Sequence, residues 1–310
     1  MDGAEGRAAR AAPGASISAG LGGRLQRLSP GWWLTGAVLA ITTALWASGR
    51  IAIGATPDLW PWRGPVQLIG LWATSLLAVV LLAAARSRAI EPLFGGLDRA
   101  VRLHRRLGPM VVALMCVHAA FVVPATLSAG QPLADFFVPF GSPTARSMDS
   151  IPFYLLLVWT GLAYLRRLGY ERWLWLHGLM GPIFLAVGAH SVAAGGTVQG
   201  FEPLRFWMWF LLLVGTAAWL WRSVLYRWWA PRYRYAVERV TPRGPDAVDL
   251  VLRPRDRRMI YEPGSFVFIG LPGTGWRRPE LHPFSISSSP AERDLRLSIR
   301  TVGDFTGSIP

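Results

Sequence analysis

The sequence predicts an all-α membrane bundle of six transmembrane helices followed by a partial antiparallel β-barrel, and three observations predict it. Of 310 residues, 52% are hydrophobic and only 16% charged, with a mean hydropathy of +0.33, where a soluble domain carries about 25% charge. Six apolar segments occupy about 32–55, 64–85, 107–127, 151–165, 173–194 and 206–221, most of them near the roughly 20 residues that cross a bilayer core as a helix. At about residue 230 the pattern changes to short alternating stretches punctuated by Pro231, Pro242, Pro245, Pro254 and Pro263, the pattern of strands and turns.

Residues 1–29 hold Ala, Gly, Ser and four arginines without an apolar core, so they predict a disordered cytoplasmic leader. Residues 30–229 form the bundle. Its fourth segment is short and borrows Arg166 and Arg167, whose long side chains reach the headgroups. Residues 230–310 begin the barrel, with strands expected at Tyr233–Val237, Val248–Leu252, Ser265–Ile269, Ser285–Ser289 and Leu295–Arg300. The sequence stops at Pro310, as a new element begins after Gly303-Asp304.

The net charge of +14 and a pI near 11.3 do not predict nucleic-acid binding, because the arginines cluster between apolar runs as membrane-flanking charge. Seventeen lie in the leader, in the second-to-third and fourth-to-fifth connections and after the sixth segment, against Arg63, Arg146 and Arg205 on the other side. The positive side is cytoplasmic by this rule, and so are both termini. The single cysteine, Cys116, excludes an intrachain disulfide and Cys-ligated zinc or iron–sulfur centres.

Four of the five histidines fall in or beside apolar segments: His104 and His118 on the third, His177 and His190 on the fifth. Ionisable residues at membrane depth are costly and mark function. At 1.5 Å per residue each pair is separated by about 20 Å, and both helices run the same way, so His104 levels with His177 and His118 with His190. Two stacked bis-histidine haems follow, since neutral imidazole is a good axial ligand and two of them favour electron transfer. Fourteen residues return His118 to within about 40° of His104, but thirteen leave His190 about 140° from His177. Pro182 and Gly178, Gly181 and Gly188 lie between them, and a kink or local rewinding there restores a shared face. Gly108, Ala119, Ala120, Gly178 and Gly188 leave room for a porphyrin or serve helix packing.

The fifth histidine opens Leu281-His282-Pro283-Phe284-Ser285-Ile286-Ser287-Ser288-Ser289-Pro290, and Ile299-Arg300-Thr301-Val302-Gly303-Asp304-Phe305-Thr306 follows. With the histidine spacings and Gly96-Leu97-Asp98 through Leu103-His104-Arg105-Arg106-Leu107-Gly108, the sequence over roughly 31–310 resembles the NADPH oxidase and ferric reductase transmembrane superfamily. That family carries HPF(T/S) and I-R-x-V-G-D-(W/F)-T segments in its flavin domain. The resemblance implies two b-type haems and FAD, with Phe284 against the isoalloxazine, Ser285 near flavin N5, and His282 and Pro283 shaping the ribityl pocket. Arg300 would meet the FAD pyrophosphate, whose paired oxygens suit a guanidinium, and Thr306 would cap the same phosphates.

Complete members of the family continue into an NADPH-binding domain, which this sequence lacks. Gly273-Thr274-Gly275 does not supply one, because it sits in a Pro/Gly loop with Arg278 where a third glycine belongs. Either the sequence is a fragment or a separate donor protein brings electrons. The resemblance implies transfer from cytoplasmic NAD(P)H through FAD and the haems to oxygen, giving superoxide, or to a ferric chelate, in a bacterial plasma membrane. Arg63, in Trp62-Arg63-Gly64-Pro65, matches an Arg-x-Pro near the family's outer haem and is the candidate catalytic cation, with an interfacial anchor as the alternative. A haem-bearing membrane component serving a separate reductase and a six-helix transporter are the rival classes. The flavin motif argues against the first and the axial pairing of the histidines against the second.

Overall fold

The structure is a computed structural model that describes residues 29–54, 63–138, 150–164, 170–193, 196–229, 233–270 and 281–300. The chain divides into two compact units, Met1–Trp228 and Trp229–Pro310. In the first, the principal helices are α1 Pro30–Ala52, α2 Arg63–Ala84, α3 Leu97–Ser128, α4 Ser150–Tyr164, α5 Tyr170–Gly178, α6 Met180–Ala193 and α7 Glu202–Leu220. Single turns at Ala134–Phe137 and Thr197–Gly200 lie in the connections.

Among the described residues, five stretches are long and apolar enough to cross a membrane: Pro30–Ala52, Arg63–Ala84, Leu97–Ser128, Arg172–Ala193 and Glu202–Leu225. The sixth expected span, α4, has 15 residues, about 22 Å of helix against a hydrocarbon core of about 30 Å. Among the described residues, five spans meet that length and α4 is a shorter apolar helix. Helix α2 is the hub: 61% of its apolar window is buried inside the protein, against 17–28% for the other four. A helix apolar on all sides belongs at the centre of a bundle, where its neighbours cover it.

Apolar contact does little to drive association between helices already in lipid, so small residues and polar links hold the bundle. Thr42 on α1 bonds Ser75 on α2 at 3.1 Å and accepts the Trp207 indole N–H of α7 at 2.9 Å. Thr74 bonds Ser191 of α6 at 2.6 Å, and Trp72 donates to Thr43 at 2.8 Å. At Gly31 of α1 a Cβ would stand 2.8 Å from Phe94, so only glycine permits that approach. The turn into α3 uses Gly95 and Gly96 at φ +74° and +121°, where a side chain would be strained.

Between α5 and α6 the helix breaks at Leu179. Pro182 has no N–H for the Gly178 carbonyl four residues earlier. The Trp219 indole of α7 takes that carbonyl instead, at 2.7 Å. Gly181 lets the same indole approach, since a Cβ there would lie 2.1 Å from the ring. The expected interruption is present, one turn before the proline.

The second unit holds β1 Tyr235–Pro242, β2 Ala247–Pro254, β3 Phe266–Ile269, β4 His282–Ser285 and β5 Leu295–Arg300. They form an antiparallel three-stranded sheet in the order β1-β2-β5 and a two-stranded sheet β3-β4, joined by one bridge between Ile286 and Leu297. The described residues close no barrel. Leu295, Leu297 and Ile299 of β5 are buried while Arg296, Ser298 and Arg300 are exposed, the period-two pattern of a half-buried strand. Their buried faces meet Leu250 and Leu252.

The fourth expected strand shifts earlier, from Ser285–Ser289 to His282–Ser285. Ser288 is withdrawn into side-chain bonding: its hydroxyl meets the Tyr261 hydroxyl at 2.8 Å and accepts the Arg296 N–H at 3.0 Å. Serine hydroxyls compete with ladder pairing in this way. The first strand also begins later than expected, at Tyr235, and is bulged between Val237 and Arg239.

Candidate functional site

Helices α2 and α3 run antiparallel and place His104 and His118 at two levels. At one level the His104 Nδ1 lies 3.0 Å from the Val80 carbonyl, and at the other the His118 Nδ1 lies 2.8 Å from the Val66 carbonyl. Val66 and Val80 are fourteen residues apart, as are the histidines, so one helix presents two acceptors at the repeat of the other's two imidazoles. A carbonyl accepting from Nδ1–H fixes the tautomer and leaves Nε2 for a metal, the usual outer partner of a ligating histidine. At Gly70 a Cβ would stand 3.0 Å from His118 Cε1 and Nδ1, so the missing side chain makes room for that ring.

Facing them, α5 brings His177 to His104 and α6 brings His190 to His118. The ring centroids are 5.8 Å apart with planes at 82° in the first pair, and 6.5 Å apart at 78° in the second. The break at Leu179 lies between His177 and His190 and supplies the rotation that a regular helix would not give over thirteen residues. A metal with an imidazole nitrogen roughly 2 Å away on each side sets two ring centres on the order of 6 Å apart. Both pairs fit that spacing. No group of three or more His, Cys, Asp or Glu able to hold a metal exists among the described residues. Two imidazoles leave an ion's other positions open, and iron in a porphyrin brings the ligands that fill them.

The small residues divide. Gly108 and Gly178 have nothing within 4 Å of a Cβ and leave space, whereas Gly188 packs on Leu212, which a Cβ would meet at 2.3 Å. Gly188 thus serves helix packing.

At the His118 level, Arg63 is the first residue of α2 and is exposed, one turn before Val66. Two residues of this end were not singled out from sequence. Arg50 on the last turn of α1 lies over the Trp46 ring at 5.7 Å. Gln67 accepts the Trp46 indole N–H at 2.9 Å and the Thr197 hydroxyl at 2.8 Å. A glutamine one turn into a span was the available signal for Gln67, and a basic residue on a helix's last turn for Arg50.

In the sheet unit, His282 and Phe284 are half-buried while Pro283 and Ser285 are exposed, so the motif presents its residues to two faces. Phe284 packs against the sheet core. The bridge from Ile286 to Leu297 brings the end of this motif beside β5, three residues before Arg300. Arg300 ends β5 opposite Ala247 and lines a cleft of about 370 Å³ with Arg243, Asp246 and Ser298. Arg243 donates to Ser298 at 3.4 Å and pairs with Asp249 at 3.6 Å. Thr306, the rejected Gly273-Thr274-Gly275 and the loop arginines Arg146, Arg166 and Arg167 lie outside the described residues.

Fold and site together define a helical integral membrane protein with paired intramembrane histidines and an attached antiparallel sheet domain. Residues 69–188 match the family described as ferric reductase like transmembrane component, and residues 234–310 match the FAD-binding domain. NADPH oxidase 1 of Mus musculus is 22% identical over 189 residues, 50% of this chain and 30% of that protein. A superoxide-generating NADPH oxidase heavy chain of Dictyostelium discoideum is 26% identical over 158 residues, 50% of this chain and 28% of that one. Among solved structures, a flavohemoglobin from Malassezia yamatoensis with bound FAD and haem covers 78% of this chain and 56% of its own, at 14% identity and a TM-score of 0.28, too low to carry an argument. The chain belongs to the NADPH oxidase and ferric reductase superfamily. Its aligned region takes up about 30% of the length of those curated relatives.

Proposed function

We propose that the protein moves electrons across the membrane, from NAD(P)H on the cytoplasmic side to oxygen or a ferric chelate on the other, using FAD and two b-type haems. When bound, FAD converts a two-electron hydride donor to single electrons and the haems carry those across the bilayer. His104 and His177 hold one iron, His118 and His190 the other, and the Val80 and Val66 carbonyls orient the α3 ligands. The mainly apolar surroundings exclude water from both pairs. In the sheet unit Arg300 offers a bidentate cation to the FAD pyrophosphate.

The observation that carries this proposal is the two histidine pairs, at 5.8 and 6.5 Å, on two levels of one bundle. Arginine asymmetry supports a cytoplasmic sheet unit and cytoplasmic termini, with α4 as a sixth, shortened span. The lipid bilayer is the bundle's partner. Arg63, exposed at the His118 level, supports oxygen as the acceptor, since a fixed cation stabilises a nascent superoxide.

The test is haem content by pyridine haemochrome. Wild type should carry two haems per chain, with His104→Ala or His177→Ala removing mainly one and His118→Ala or His190→Ala mainly the other. Full haem retention in all four variants would overturn the assignment.

A further inference from the structure

Two devices hold imidazoles at a set angle in this bundle, a hydrogen bond to Nδ1 and a stacked ring. The α3 histidines are held by hydrogen bonds from Nδ1 to Val80 and Val66. His177 is not: its Nδ1 is buried and has no hydrogen-bond partner among the described residues. Its ring is gripped by its face instead. Trp173, one helical turn earlier, lies parallel to it, with ring centroids 4.9 Å apart and planes 8° apart. Residues four apart on a helix share a face, which is what allows this stack.

The indole is itself anchored. Its N–H donates to the Ala163 carbonyl near the end of α4 at 2.8 Å. One turn of α4 earlier, Trp159 donates to the Leu176 carbonyl at 2.9 Å, the residue immediately before His177. Helix α4 therefore holds both the indole and the backbone that bears the imidazole. Rotating the His177 ring would drive it into an indole that cannot retreat without losing its own hydrogen bond.

We propose that Trp173 is the positioning residue that sets the plane of the His177 imidazole, nearly perpendicular to that of His104. The inference rests on the haem proposal and deepens it. The angle has a spectroscopic consequence. Perpendicular axial imidazoles bring the two iron orbitals that bond with them close in energy and give low-spin ferric haem a large-gmax resonance, whereas parallel rings give a rhombic spectrum with lower gmax. Both pairs, at 82° and 78°, belong to the perpendicular case. Only the His104/His177 pair depends on Trp173, so the other serves as the internal reference. Trp175, exposed and two residues along the same helix, controls for loss of an indole from this segment.

The experiment is low-temperature electron paramagnetic resonance on the full chain purified in detergent, with haem counted by pyridine haemochrome first. Wild type and Trp175→Leu should show two large-gmax signals. Trp173→Leu should move one of them to lower gmax, or abolish it with loss of one haem, and leave the other in place. Trp173→Phe keeps an aromatic face and should stay close to wild type. The inference is overturned if Trp173→Leu leaves both signals unmoved, or if the Phe variant is as disturbed as the Leu variant, which would assign the effect to the hydrogen bond rather than the stack. A wild type without haem would overturn the haem proposal itself, a result distinct from haem-replete protein with unmoved signals.

Discussion

Replacing Gly70 with alanine sets two effects of opposite sign against each other. In the middle of α2, glycine costs about 1 kcal/mol of helix stability relative to alanine, so Gly70→Ala on its own should raise the stability of the bundle by about that amount. The new Cβ, however, would sit 3.0 Å from both Cε1 and Nδ1 of His118. Ordinary carbon contacts lie at roughly 3.5–4.0 Å, so the ring must retreat by about half an ångström or more. A retreat along its bond to Val66 would stretch the present 2.8 Å to the edge of hydrogen-bond range, about 3.2 Å or beyond, with a net loss of about 0.5–1.5 kcal/mol.

A loss of about 0.5–1.5 kcal/mol at the outer partner of a ligating histidine corresponds to about 2- to 13-fold in affinity for the metal. Gly70→Ala should therefore weaken retention of the haem at His118/His190 by a factor in that range, and shift its midpoint potential, while the His104/His177 haem is unchanged. Redox titration and haem stoichiometry after dilution into detergent measure the effect on His118, and thermal unfolding of haem-free protein measures the gain in helix stability. Unchanged occupancy and potential at the His118 level would refute the claim that Gly70 exists to seat that ring.

At Gly181, alanine would bring a Cβ within 2.1–2.3 Å of three atoms of the Trp219 indole. Gly181→Ala should therefore destabilise the bundle by about 1–3 kcal/mol through overpacking, read as a lowered Tm, and adding Trp219→Ala should recover part of it. Leu297 is fully buried in the sheet unit, and Leu297→Ala should cost about 2–5 kcal/mol, visible as loss of bound FAD and protease resistance. Reporter fusions after Trp229 should be active in the cytoplasm and fusions near Ser142 outside. An exterior signal after Trp229 would invert the proposed electron path. Arg63→Ala should slow reoxidation of dithionite-reduced protein by oxygen more than anaerobic reoxidation by ferric chelate, and an unchanged oxygen rate would make Arg63 a headgroup anchor only.

The four histidines were legible because charge in lipid is expensive and rare, so their depth and spacing stand out against an apolar background. The strand pattern of β5 was legible because a half-buried strand writes its period directly into Leu295, Leu297 and Ile299. The role of Gly188 was not legible: a small residue serves equally to admit a cofactor or a neighbouring helix, and only the position of Leu212 decides between them. Nor was the start of β4, because whether Ser288 extends a strand or bonds Tyr261 depends on a residue 27 positions away.

By itself, the sequence determined that this is a membrane bundle with two paired histidine levels and a strand domain after it, since apolar run length, histidine spacing and alternation are one-dimensional quantities. The tertiary structure decided how those histidines are held. The Val66 and Val80 carbonyls belong to backbone groups that every residue carries, so no letter marks them as acceptors. The break at Leu179, the indole that fills the carbonyl freed by Pro182, and the parallel stack of Trp173 on His177 exist only when helices distant in sequence close on one another. Orientation and local rotation are properties of contacts in three dimensions, and the physical forces that set them act between residues the chain order keeps apart.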